Sequence, residues 1–420
     1  MLHSTGFLVL ACVAIAIQSF LLFLFLFEPC LPYKIKKRPV ALQTKQFADL
    51  LEVLAGAQMH QHCDVEVLTN GEVYFEAELA AIRKAKKSVN LEAYIFQKGR
   101  VTRRLLKALT ERAKAGVKIN MVLDAIGCFA TPNSYFKEFK KVGGRIEWYH
   151  PFRWYTLPRL NNRTHRELII VDGEVGFIGG SGFADHWLYS KGKHRRWRDT
   201  MFCVKGEAVK SLQSVFAENW LEASGEILTD KIYFPPLCEG KGNVTTQVVN
   251  SSPSAGRSTR ARVLYQTLLA SARETIYITT PYFLPDRSVR AEFARAVEER
   301  GVDLTIITPG KQSDHLLTRR SSRRLYGDLL KVGARIYEYV PSMIHAKIMI
   351  VDRMWCVIGS TNFDHRSFGL NDEVNLVACD EELAQRLYLD FQSDLAQSEL
   401  VSYDDWKKRS IVERVHEWFG

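Results

Sequence analysis

Apolar and polar positions along this chain fall into three regimes. The first is one uninterrupted run: Gly6 to Phe27 carries no charge, and Gln18 is its most polar member. As a helix rising about 1.5 Å per residue it would cover roughly 33 Å, enough to cross a bilayer core. A cleaved leader would show a basic start, a shorter apolar stretch and a small-residue cleavage site. Here only His3 precedes the run, and bulky Leu and Phe fill its end. The pattern therefore predicts an uncleaved transmembrane helix over 6–27 and a basic juxtamembrane segment over 28–57 holding Lys34, Lys36, Lys37 and Arg38. Positive charge stays on the cytoplasmic side, so the body is expected to face the cytoplasm, with the basic cluster near acidic headgroups.

The second regime alternates helix-period and strand-period segments, twice. Helical composition at Ala77–Lys87 leads into an apolar strand at Ser88–Phe96, then a helix at Leu105–Ala115 and a strand at Val117–Asp124. The same order returns at Ala261–Arg273, Thr275–Phe283, Arg290–Arg300 and Val302–Thr308. VGGRIEWY at 142–149 then matches VGARIYEY at 332–339, and HRELIIVDGEVGFIGG from His165 matches HAKIMIVDRMWCVIGS from His345. The intervals preceding the histidines are also close: Gly116 to His165 is 49 residues and Gly301 to His345 is 44. The chain thus reads as an internal repeat. The alternation argues for an α/β fold with mixed sheets. The first repeat is placed at 58–232, a Pro/Gly/Ser-rich linker at 233–256 and the second repeat at 257–400. The third regime is an amphipathic tail over 401–420, where Ile411, Val415 and Trp418 fall near one face.

Composition narrows the picture only slightly. A chain of 420 residues can bury a large core, and its net charge of +10 suits an anionic partner without saying which. The eight cysteines form no CxxC pair and no zinc spacing, so they read as small buried hydrophobes in a reducing compartment. No metal site is expected.

The chemistry gathers in the second repeat. His345 and Lys347 are two apart, so on a strand they share a face. Asp352, Ser360, Asn362 and Glu373 follow. A histidine can attack phosphorus or protonate a leaving oxygen, a lysine beside it supplies charge to phosphate oxygens, and Ser and Asn add neutral donors. A downstream carboxylate can orient the imidazole.

These residues resemble the phospholipase D superfamily, whose signature H-x-K-x4-D-x6-G-S-x-N is met at every defined position by HAKIMIVDRMWCVIGSTN. Within it the chain resembles bacterial cardiolipin synthases. The narrower resemblance rests on NGEVYFEAELAAIRKAKKSVNLEAYIF at 70–96, WRDT at 197–200, YFLPD at 282–286, NFDHRS at 362–367 and the N-terminal run. It implies two α/β repeats packed as a pseudo-twofold pair around one site. One histidine would form a phosphatidyl intermediate while the other serves as acid and then base; the resemblance implies catalytic parts for His165, Asp172, His345, Lys347 and Asp352, and substrate contacts for Glu167, Asp199, Ser360, Asn362 and Glu373. It also implies no cofactor, phosphatidylglycerol as substrate, release of glycerol, and a place in the bacterial inner membrane. No nucleic-acid partner is expected, and a dimer is not required.

The first repeat departs from that pattern. His165 and Asp172 remain, but Glu167 stands at the lysine position and Gly180 and Gly182 at the Ser and Asn positions. Asp199 can play the part of Glu373. A carboxylate near a phosphodiester is repulsive. Three readings are open: a nearby arginine (Arg163, Arg166, Arg195 or Arg198) neutralises Glu167, Glu167 is protonated or contacts glycerol hydroxyls, or the first repeat is catalytically dead. Hydrolysis of a lipid or nucleic-acid diester, and lipid binding without catalysis, are the alternative functions. The loop 152–163 (FRWYTLPRLNNR) suits either a lipid interface or inward packing, and the Arg319, Arg320, Arg323, Arg324 run suits a solvated helix face.

Overall fold

The computed structural model describes residues 2–26, 35–36, 40–154, 161–190, 192, 195–236, 242–253, 258–410 and 413–414. Lys34, Lys37, Arg38, the centre of the 152–163 loop, Gly240, part of the SSPSAG turn, and Ile411, Val415 and Trp418 of the tail lie outside the described residues. The chain divides at residue 32 into two units. The first holds α1 (Leu2–Leu26), a helix of 25 residues with neither acidic residues in its first turn nor basic ones in its last. Its described side chains run unbroken from Val9 to Phe23. Among the described residues no helix is long and apolar enough to cross a membrane, which leaves the expected span without structural support.

The second unit is built on a single mixed sheet of 15 strands, not on separate sheets. Its first half contributes β1 (Met59–Thr69), β2 (Ser88–Ala93), β3 (Lys118–Asp124), β4 (Arg145–Tyr149), β5 (Glu167–Val171), β6 (Val175–Gly179) and β7 (Thr200–Lys205). The second half contributes β8 (Val244–Ser251), β9 (Thr275–Thr279), β10 (Asp303–Pro309), β11 (Arg335–Tyr339), β12 (Ile348–Val351), β13 (Trp355–Gly359) and β14 (Glu373–Cys379). A short β15 (Ser398–Leu400) closes one edge. The order is β4-β3-β2-β5-β6-β7-β1-β8-β14-β13-β12-β9-β10-β11-β15. Counted outward from the β1/β8 pair, the two halves repeat the same sequence of strands, as the internal repeat implies. In each half the strands expected to alternate with helices run parallel, β2 with β3 and β9 with β10.

Three cores hold the layers. α3 (Gly71–Lys84), α4 (Arg100–Lys114) and α5 (Lys137–Lys141) cover the outer face of the first half through Leu79, Leu105 and Phe139. α7 (Arg260–Ser271), α8 (Arg287–Arg300) and α9 (Leu316–Lys331) cover the second through Leu264, Phe293 and Leu329. Between the halves, α6 (Ala208–Ser224) and α11 (Glu381–Leu395) pack Phe216, Trp220 and Phe391 against Ile170, Ile178, Ile350 and Ile358. Strands covered on both faces read as apolar runs, which is why β5 and β13 are buried at every position.

Two segments differ from expectation. The stretch read as a linker contains β8, which pairs with both β1 and β14 and so joins the halves; its Thr/Gln/Asn content hid it. The segment read as juxtamembrane contains α2 (Lys45–Ala55), capped by Thr44, whose Phe47 meets Trp355 edge-on at 5.3 Å while the Trp355 indole donates to Leu42 O at 3.0 Å. The start of the tail forms α12 (Tyr403–Lys408), and Trp406 docks on α9, donating to Arg323 O at 2.7 Å. Arg319 and Arg323 are not simply solvated: both reach Glu338 at 2.6 Å.

Candidate active site

Each of the two candidate histidines is held by the half to which it does not belong. Just before β5, the backbone of His165 donates to Asp372 O at 2.9 Å, and Asp372 N returns a bond to Arg163 O. Just before β12, His345 N donates to Arg198 O at 2.7 Å, and Arg198 N returns one to Met343 O. These short parallel bridges place the next residue of the partner strand beside each ring. His165 Nδ1 lies 3.1 and 3.2 Å from the Glu373 carboxylate oxygens, and His345 Nδ1 lies 2.9 Å from Asp199 Oδ2. A carboxylate can only accept, so Nδ1 carries the hydrogen and Nε2 is the basic nitrogen of each neutral ring. The orienting carboxylate therefore comes from across the β1/β8 junction, not from downstream in the same repeat.

The carboxylates are themselves fixed. Asp199 is fully buried and also accepts from the Trp187 indole at 2.9 Å and from Thr200 N at 2.8 Å. Burial alone would raise its carboxyl, but the His345 bond and the nearby charges outweigh it and hold the group below the ordinary carboxylate range. Glu373 is likewise fully buried and accepts a short bond from Ser360 Oγ. Ser360 thus holds the base-orienting acid. Asn362 lines the cavity with a buried Oδ1 that has no protein partner.

Both histidines open onto one cavity of about 420 Å³, with Glu167, Gly180 and Asn362 in its wall. Lys347 sits beside it, buried, with Nζ 3.0 Å from His345 Nδ1 and 2.9 Å from His345 O. Burial pushes the lysine down to about 8, despite the acids around it. Burial, then the Lys347 charge, lowers the His345 ring below its ordinary value, which keeps it neutral and available as nucleophile or base.

Sequence reasoning missed several wall residues. Tyr94 packs edge-on against His165 at 5.3 Å between ring centroids, Trp197 lies 5.3 Å from His345, and Tyr282 donates to Asp314 at 2.7 Å. They lie within the segments at 70–96, 197–200 and 282–286 that carry the family resemblance, but on loops after β2, before β7 and after β9, where spacing gives no side-chain direction.

Asp172 and Asp352 do not join the site. Each lies at the far end of its strand, five residues beyond Glu167 or Lys347, roughly 16 Å away along an extended chain. Both adopt left-handed backbone, φ 54° and 48°. Asp172 accepts from Lys86, Lys87 and Ser88 N, and Asp352 from Arg273, Glu274 and Thr275 N, at 2.7–3.2 Å. They tie the turn entering β2 or β9 to the turn leaving β5 or β12. The expectation of a catalytic part for them is corrected to a structural one.

Among the described residues no arginine pairs with Glu167. Arg166 points into the core, bonding Val215 O and Glu218; Arg198 pairs with Asp394; Arg163 faces Asp124; Arg195 is exposed. Glu167 Oε1 instead accepts from the backbone of Tyr94 at 3.1 Å and Ile95 at 3.3 Å, and Oε2 is buried without a partner. Burial drives this carboxyl well above the ordinary range, against the pull of the two amides and of Lys347, which favours its neutral form. The sign for stability follows. The unfolded side chain ionises near about 4.3. Stability from Glu167 is thus full below that pH and erodes as pH rises towards the folded value. Glu167→Gln should therefore gain on the parent by up to about 1.4 kcal/mol per pH unit between about pH 5 and 7, read by chemical denaturation at several pH values.

Comparison with known proteins agrees with this architecture. The family model described as cardiolipin synthase, PLD-like domain, matches residues 79–220 and 265–395. A cardiolipin synthase of Listeria monocytogenes is 35% identical over 372 residues, covering 87% of this chain and 77% of the relative. One from Geobacillus kaustophilus is 31% identical over 396 residues, covering 93% and 78%. The crystal structure of phosphatidylserine synthase from Haemophilus influenzae superposes with a TM-score of 0.67 at 13% identity, over 89% of this chain and 96% of that one, a likeness of fold. With two paired halves, two carboxylate-held histidines and relatives of this similarity over most of its length, the chain belongs to the cardiolipin synthase family of phospholipase D-like proteins.

Proposed function

We propose that this protein is a phosphatidyltransferase that makes cardiolipin from two phosphatidylglycerols. The observation that carries the reading is the pair of histidines on one cavity, each with Nδ1 held by a buried carboxylate. One Nε2 attacks phosphorus, forming a P–N bond as the P–O bond to glycerol breaks. The other ring enters this step as the imidazolium and gives its Nε2 proton to the departing glycerol oxygen. That ring then takes a proton from a hydroxyl of the second phosphatidylglycerol, whose oxygen displaces histidine to give cardiolipin. Lys347 supplies charge to the phosphate oxygens, and Asn362 a neutral donor. Trapping on His165→Ala and His345→Ala identifies the ring that bears the phosphatidyl group.

The membrane setting belongs to the same proposal. Leu2–Leu26 has no Asp, Glu, Lys or Arg, and Val9, Leu10, Phe20, Leu21, Leu22 and Phe23 are all more than half exposed. A single-pass anchor in the bacterial inner membrane accounts for these features, the basic cluster at 34–38 of the sequence favours a cytoplasmic body, and a local twofold accounts for the matching strand order of the two halves. Protease added outside spheroplasts should leave the body intact.

Purified protein given phosphatidylglycerol alone should yield cardiolipin and glycerol. Phosphatidic acid as sole product would mean hydrolysis, and bound lipid without turnover would mean a binding protein. The lysine sets the alkaline limit: kcat/KM should fall above about pH 8 as Lys347 loses its proton. Lys347→Arg, which keeps its charge, should lower the maximum but remove that limb from the pH profile.

A further inference from the structure

The departures at Glu167 and Gly180 are related to each other. A Cβ built on Gly180 would sit 2.6 Å from Lys347 Nζ, 2.7 Å from its Cδ and 3.0 Å from its Cε. The second-half lysine therefore occupies volume that a side chain at 180 would fill. At the matching place in the second half Ser360 does fill it, and its hydroxyl holds Glu373. The first half has no such hydroxyl to give; Asp199 takes the Trp187 indole instead. Gly182 is tight for a different reason: a Cβ there would meet Ile95 at 2.7 Å and Glu167 Oε1 at 3.1 Å, so the glycine makes room for the Glu167 carboxyl.

We infer that Gly180 and Glu167 form a compensated pair, in which the glycine admits the Lys347 ammonium to the first half's anion-binding position and the glutamate vacates that position of its own cation. The cavity thus works with one lysine serving both halves. Glu167 turns its Oε1 to the Tyr94 and Ile95 amides, away from ion pairing with the ammonium. A second lysine at 167 would face Lys347 in a buried site where like charges repel strongly. This positioning part of Gly180 rests on the phosphodiester reading of the site.

The test is a double-mutant cycle on the full chain, with phosphatidylglycerol in detergent micelles. Gly180→Ser should lower kcat by about 100-fold by evicting Lys347, since losing one preorganised donor has that order of effect. Eviction should be tolerated by the fold, because the clashing atoms are the end of a flexible side chain. Glu167→Lys alone should also lose activity. The double variant, which restores a lysine and a serine to the first half, should exceed the product of the single effects by at least about tenfold. Lys347 can be followed apart from turnover, as the NMR titration of its side-chain amine, assigned by its loss in Lys347→Arg. It should move towards the ordinary lysine value in Gly180→Ser. Full activity and an unmoved titration in Gly180→Ser would overturn the inference, as would strict additivity in the cycle. If the parent protein does not turn over phosphatidylglycerol, the proposed function fails while the titration still decides the placement of Lys347.

Discussion

Asparagine at Asp199 should lower kcat by about 10⁴-fold while leaving the melting profile close to that of the parent. The amide keeps the shape of the carboxylate but loses the charge and the acceptor-only character that fix the His345 tautomer with hydrogen on Nδ1. A flipped ring presents the wrong nitrogen to phosphorus. Glutamine at Glu373 should act in the same way on His165. The informative comparison is between halves. Asp199→Asn and His345→Ala should together be little worse than His345→Ala alone, because they disable one catalytic unit. Asp199→Asn combined with His165→Ala should instead worsen on its parents. If Asp199 coupled to His165, the exchange of carboxylates between halves would be wrong.

Alanine at Asp352 should do the opposite: stability falls by about 3 kcal/mol, and kcat of the folded fraction is kept. Three backbone amides of the turn entering β9 lose their acceptor, and each such group costs about 1–3 kcal/mol when left unpaired, less where water reaches it. Asp172→Ala should behave alike in the first half. Denaturant unfolding and turnover, measured on the same preparations, separate the two quantities. A Asp352→Ala protein of parental stability and no activity would return the residue to the chemistry.

That contrast explains what the sequence could carry. The spacing of His345, Lys347, Ser360 and Asn362 is local, and local spacing on a strand fixes which side chains share a face, so their gathering was legible. The doubled pattern of helix and strand was legible for the same reason, and helix ends fell within a few residues where Gly301 or Asp286 marks them. Asp352 shares the motif's spacing too, yet the strand carries it to the opposite end of the sheet; a motif records co-occurrence, not proximity. The pairing of Glu373 with His165 was hidden because it depends on how two repeats meet. β8 was hidden by polar residues, since a strand at the junction draws its stability from β1 and β14 on either side. Tyr94, Trp197 and Tyr282 lie within segments that carry the family resemblance, yet their places in the cavity wall follow only from the fold.

The exchange of carboxylates also bears on the protein while it is being made. Glu373 lies 208 residues after the histidine it serves. Domains fold as they emerge from the ribosome, N-terminal part first. The first half can thus take shape beside lipid with His165 present but its ring unheld, and His345 arrives late, to an Asp199 already waiting. Competence appears only when β14 closes against β8. A nascent or truncated chain is consequently silent toward the bilayer around it, and lipid chemistry begins only after synthesis is all but finished.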